Sequence, residues 1–165
     1  MSQETRWDCD EEDEDEITYA EFFIPGKPVG KMRTRACVRG GFAGVYTPKK
    51  ETLYENNVRD SYIRKYEGRW LGDSALEVTL DVFFAVPKSC TKKRRKAIEE
   101  GKELPKCKPD IDNIVKSVLD GLNGVAYTDD KNIISVYALK HYAEDGREGV
   151  FVTLKACAGG GEEPE

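Results

Sequence analysis

The stretch from Lys108 to Ile133, KPDIDNIVKSVLDGLNGVAYTDDKNI, constrains the fold of this chain more than any other. Its apolar residues Ile111, Ile114, Val115, Val118, Leu119 and Leu122 recur at i, i+3, i+4, i+7, i+8 and i+11. That spacing predicts an amphipathic helix with one face turned into a core. Pro109 marks its start, Asp110 and Asp112 sit around the N-cap, and Asn123-Gly124 supplies a left-handed stop. On the opposite face Asp112, Lys116 and Asp120 follow at i, i+4 and i+8, so their side chains stack in a line. The chain then passes through Val125-Ala126-Tyr127 and Thr128-Asp129-Asp130-Lys131 into a β-like run. Such a return brings Asp129 or Asp130 back towards the start of the helix.

Two carboxylates two residues apart, with a third from a neighbouring strand, match what a hard divalent cation requires. Mg²⁺ takes oxygen ligands, commonly one or two carboxylates completed by water and substrate phosphate. A lysine one turn along the helix can neutralise charge on a phosphate oxygen. Spacing alone leaves a plainer reading open, in which Asp110 and Asp112 only cap the helix and Asp129-Asp130 only make a turn.

The combined wording of the segment goes further. Pro109-Asp110-Ile111-Asp112-Asn113, Lys116, Leu119-Asp120-Gly121-Leu122 and Asp129-Asp130 closely resemble the RusA family of Holliday junction resolvases, which carries D-x-D-N-x-x-K, L-D-x-L and a D-D pair. The resemblance implies a small homodimer that uses Mg²⁺, or Mn²⁺ in its place, to nick four-way DNA junctions symmetrically. By the same resemblance Asp110, Asp112 and Asp130 are the catalytic, metal-binding aspartates and Lys116 the essential basic residue. Asp129 is the second candidate ligand of its pair, because the interval between the two acidic motifs varies by about a residue in the family. The early segment Gly26-Lys27-Pro28 followed by Lys31, Arg33 and Arg35 is also similar to that family, and the implied setting is the cytoplasm of a bacterial or phage-encoded system.

A net charge of −5 argues at first against a nucleic-acid partner, but its distribution does not. Residues 1–16 carry nine acids against one arginine and residues 162–165 three acids, so the segment between them carries a net +6. A basic body is the electrostatic footprint expected of a DNA-binding protein. Two segments concentrate that charge. Residues 26–46 hold Lys27, Lys31, Arg33, Arg35 and Arg39 with no acid, and read as a flexible basic loop able to track a DNA backbone, or as an ordinary exposed hairpin. They are not a phosphate-binding P-loop, since Gly26 to Gly30-Lys31 is too short and Met32 replaces the required hydroxyl. Lys92, Lys93, Arg94 and Arg95 crowd the first turns of a helix expected over Ser89–Glu100. There they oppose the positive end of the helix dipole, which suggests a site for an external anion.

The remaining elements follow from local patterns. Ile17–Pro25 and Leu76–Val86 read as strands, the latter by clean alternation. Thr47-Pro48 starts a helix running to about Glu67, with Leu53, Val58, Tyr62, Ile63 and Tyr66 along its face. Asn132–Tyr142 and Gly149–Cys157 suggest a terminal hairpin. The order predicts an α+β fold, a mixed β-sheet with helices packed on it. One RusA-like domain is expected over 17–157, between a disordered acidic tail at 1–16 and a flexible acidic end at 158–165. The five cysteines show no C-x-x-C spacing and read as reduced, mostly buried thiols; His141 is the only histidine, which disfavours a His-based site. No apolar run suggests a membrane. The function expected is a metal-dependent, structure-selective endodeoxyribonuclease acting on branched DNA in recombination and repair. The alternative is a non-catalytic branched-DNA-binding module. A nucleotide-sugar transferase lacks its expected parallel sheet, and an EF-hand loop fails because Ile114 and Val115 fall on its ligand and glycine positions.

Overall fold

The computed structural model describes residues 16–32, 35–39, 42–46, 48–143 and 145–157, with backbone alone between 33 and 47. The acidic tails lie outside these residues except for Glu16, which forms a parallel β-bridge with Trp70. Strand β1 spans Tyr19–Pro25, β2 Arg35–Arg39 and β3 Phe42–Tyr46, followed by helix α1, Lys49–Tyr66. Strand β4 is Leu76–Ala85, helix α2 Lys92–Glu99 and helix α3 Ile111–Leu122. A 3₁₀ turn at Asp130–Asn132 leads into β5, Ile133–Ala143, and β6, Gly149–Ala156, completes the fold.

Four strands form one mixed sheet in the order β1-β6-β4-β5, with β4 and β5 parallel and the other pairs antiparallel. The α+β class expected from the sequence is therefore present. A parallel neighbour can be reached only by a crossover, and the β4–β5 crossover carries α2 and α3. The terminal hairpin is a correction: β5 and β6 follow one another in sequence, yet β4 lies between them. The alternating Leu76, Val78, Leu80, Val82 and Phe84 are all buried on one face of the sheet, and β4 pairs with β6 along one edge and β5 along the other.

The core lies between this sheet and helices α1 and α3. Ile114, Val118 and Leu122 of α3 are fully buried, each contributing about 1.5–3 kcal/mol of apolar burial. At Gly121 α1 and α3 approach closely, since a Cβ there would stand 2.9 Å from the Val58 Cβ. Helix α1 buries Val58 and Tyr62 and packs Tyr66 against the core as expected, but not the whole expected face. Glu51, Tyr54, Val58 and Tyr62 go inward, while Leu53 and Ile63 are exposed. Its apolar residues fall on more than one side, and the packing favours the tyrosines. The predicted threonine cap lies outside the described residues; Pro48 holds the N-cap position without a side-chain bond.

The basic segment after β1 is not a continuous loop, because β2 and β3 pair as an antiparallel hairpin. Nor are the described cysteines buried: Cys107 is exposed, and Cys90 and Cys157 are partly so. His141 meets Asp81 at 2.8 Å and stacks on Phe83, away from the carboxylates discussed below.

Candidate active site

With its apolar face held in the core, α3 turns its line of polar side chains outward. Asp112, Lys116 and Asp120 border a groove of about 350 Å³ against β5. Val136 and Ala138 form the strand side, and Asp130 joins the acids of α3 from the turn before β5. The return that brings Asp130 here is anchored at several points. Tyr127 is buried, and its hydroxyl donates to the Leu119 carbonyl at 2.9 Å. Burial pushes its phenol pKa up, with smaller contributions from Asp130 and Asp120. The Leu71 N–H donates to the Ala126 carbonyl at 2.7 Å, and the Thr128 N–H to Gly72 at 3.3 Å. On the strand side, the Lys140 ammonium donates to the carbonyls of Cys107 at 2.7 Å and Pro109 at 2.5 Å, which joins β5 to the chain leading into α3.

The fold divides each acidic pair. Asp112 reaches the groove, whereas Asp110 borders a neighbouring pocket of about 450 Å³ with Lys27, Lys50 and Lys108. Asp110 occupies the N-cap position, but its side chain makes no capping bond, contrary to expectation. Asp130 also reaches the groove, whereas Asp129 caps the 3₁₀ turn by accepting the Lys131 N–H at 3.0 Å. That N–H, and secondarily the side chain of Asp130, holds the Asp129 carboxyl below its usual range.

The expected DNA-contacting residues also part company. Lys27 borders the Asp110 pocket, while Lys92, Lys93, Arg94 and Arg95 are exposed on the first turn of α2. Thr91 caps α2 by accepting the Arg94 N–H, and Arg94 pairs with Glu103 at 2.7 Å. Arg35 and Arg39 begin and end β2, and Arg33 lies outside the described residues. Lys31 turns inward instead. Its ammonium meets Glu55 at 2.6 Å, Asp120 at 2.8 Å and Glu51 at 2.9 Å. Burial works against that charge, but hydrogen bonds to Asp120, Glu55 and Glu51 outweigh it and raise the lysine pKa.

The residues that sequence reasoning missed are thus Asp120, Glu51 and Glu55. Asp120 stood in the right helical line but received no role. No local pattern could have joined Lys31 to Glu55, 24 positions away.

Every donor in the groove is a carboxylate oxygen, a set suited to a hard cation. Among the described residues no three Asp, Glu, His or Cys side chains form a ready metal-ligand group. The helix explains this, since Asp112 and Asp120 are separated by about 12 Å of axial rise. A cation that keeps several waters needs only one or two of these carboxylates, so the residues fit Mg²⁺.

A family model described as endodeoxyribonuclease RusA matches residues 25–155. The chain belongs to the RusA family. The RusA match runs from the end of β1 into β6 and takes in every element that builds the groove. It supports a nuclease and does not favour a non-catalytic binding module. A similar curated protein is the uncharacterized protein YqaN of Bacillus subtilis (strain 168), 29% identical over 133 residues, covering 79% of this chain and 93% of its own length. Among the described residues no helix of this RusA protein is long and apolar enough to cross a membrane.

Proposed function

We propose that this chain is a Mg²⁺-dependent endodeoxyribonuclease that resolves Holliday junctions by paired symmetric nicks, as a homodimer in the cytoplasm. The observation that carries the proposal is the joint placement of Asp112, Lys116 and Asp130 on one groove within a RusA domain. Asp112 and Asp130 would hold the cation, with Asp110 two residues before Asp112 and Asp129 beside Asp130. When bound, Mg²⁺ (or Mn²⁺) supplies a polarised water and charge neutralisation at the scissile phosphate. Lys116, with its side chain 62% exposed, is free to meet a phosphate oxygen at the rim of the groove. The exposed start of α2 and Lys27 supply positive charge to the DNA backbone without reading sequence. A four-way junction has approximate two-fold symmetry, so a C2 dimer sets one groove on each of two opposed strands. By analogy with the family, the products carry 5′-phosphate and 3′-hydroxyl ends.

The test is incubation with a labelled mobile four-way junction in Mg²⁺ or EDTA, with linear duplex alongside. The expected result is paired nicks in the junction with Mg²⁺ alone and little cutting of the duplex. Tight junction binding without cleavage in either Mg²⁺ or Mn²⁺ would overturn the proposal. Light scattering at micromolar concentration should give the dimer mass.

A further inference from the structure

Resting on the nuclease reading above, we propose that Asp120 and Lys31 are positioning residues of the groove, which act by holding Lys116 and bind neither metal nor DNA. The geometry of Asp120 is the starting point. Its Oδ2 lies 2.8 Å from the Lys31 ammonium and its Oδ1 faces the Lys116 ammonium at 3.8 Å. Both oxygens are therefore turned to lysines, although the side chain borders the same groove as Asp112 and Asp130.

Lys31 is itself fixed from three directions. An ammonium has three N–H donors, and three carboxylates surround this one. Glu51 and Glu55 come from α1 and Asp120 from α3. Glu51 is 1% exposed, and its second oxygen accepts the Met32 N–H at 3.2 Å. The Lys31 backbone N–H donates to the Asn113 carbonyl at 2.9 Å. Gly30 seats this loop against α3: a Cβ there would stand 2.7 Å from Pro109 and 3.0 Å from Asn113. A lysine so enclosed, with its side chain 25% exposed, has no donor left for a phosphate.

Lys116 is held differently. Its single described carboxylate neighbour is Asp120, and 3.8 Å is an ion-pair distance too long for a hydrogen bond. Asp120 thus orients the ammonium while leaving its hydrogens for an incoming phosphate. The loop after β1, α1 and α3 are locked together through Lys31, and the last link of that lock points at Lys116.

The experiment compares the full chain with Asp120→Asn, Lys116→Met, their double variant, and a Lys31→Met/Glu51→Gln pair that leaves no buried Glu51 charge uncompensated. Single-turnover junction cleavage is measured together with Mn²⁺ binding by electron paramagnetic resonance and the salt dependence of junction binding. Asp120→Asn should cut roughly 10- to 100-fold more slowly, the scale of a misplaced catalytic group. It should bind Mn²⁺ as the parent does, and add nothing to the loss already caused by Lys116→Met. The Lys31→Met/Glu51→Gln pair should show the same rate loss with an unchanged salt slope. Lost Mn²⁺ binding in Asp120→Asn would make it a ligand, and a flatter salt slope in the Lys31 pair would make Lys31 a DNA contact. Parent-like cutting by Asp120→Asn, or additive losses in the double variant, would equally overturn the proposal. A parent protein that cuts nothing would instead sink the nuclease reading. If the Lys31 pair fails to fold, the partly exposed, shape-conserving Asp120→Asn still decides.

Discussion

Asp110-Ile-Asp112 before α3 and Asp129-Asp130 before β5 look equivalent in the sequence, yet the fold uses their members unequally. Each pair sends one carboxylate to the groove, Asp112 from the first turn of the helix and Asp130 from the 3₁₀ turn. The outer members differ from each other as well. Asp129 is engaged by the Lys131 N–H, whereas Asp110 caps nothing and faces a pocket bordered by lysines. An acid beside a helix start can thus cap a turn, border the groove or border a different pocket, and its backbone position alone does not say which.

The largest expected effect tests the inner pair. Asp112→Asn and Asp130→Asn should each lower junction cleavage on the order of 10³-fold, since several kcal/mol of metal-held charge stabilisation is lost. Junction binding, measured by gel shift, should persist or tighten. Folded Asp112→Asn protein that cuts at the parent rate would reduce that residue to a helix-start acid. Asp110→Asn should fall next, on the order of 10²-fold in cleavage if its free side chain is the ligand that the family resemblance implies. Its melting temperature should not move, because no capping bond is lost. A stability loss without a rate loss would reverse that assignment.

Asp129→Ala should show the opposite balance. Removing the cap of the 3₁₀ turn should lower the melting temperature by about 2–4 °C, with a smaller loss of cleavage than in any of the other three variants. The smallest effect lies in acid. The Asp129 carboxyl is held below its usual range, so its contribution is present above the unfolded value near ~3.9 and is lost as pH falls through the depressed folded value. Melting curves of parent and Asp129→Ala should differ at neutral pH and draw together as the pH drops below about 4. A gap that persists in acid would mean that the ion contributes nothing beyond the shape of the side chain.

Much of the fold was legible because period alone reports a face. The strand β4 and the buried side of α3 lie where their alternation and helical spacing put them. Long-range choices were not legible. Nothing near Gly149–Ala156 says that this strand pairs with β1 and β4 rather than with its sequence neighbour β5. Helix α1 misled because Leu53 and Ile63 are apolar yet exposed, while Glu51 is charged yet buried by its partner Lys31. Within the groove, family spacing named Asp112, Lys116 and Asp130. It included Asp120 in the L-D-x-L match but gave it no role, since its pairing depends on Lys31, far away in the sequence. Periodicity reads neighbours, whereas buried ion pairs depend on tertiary contacts.

Lys140 gives the groove a mechanical property. By gripping the carbonyls of Cys107 and Pro109 it works as a crossbar between the strand that follows Asp130 and the peptide that precedes Asp112. The width between the two walls is then set at this joint, so residues added or removed between α2 and Lys106 would be taken up before the crossbar. That segment is where the chain can change length without altering the spacing of its acids.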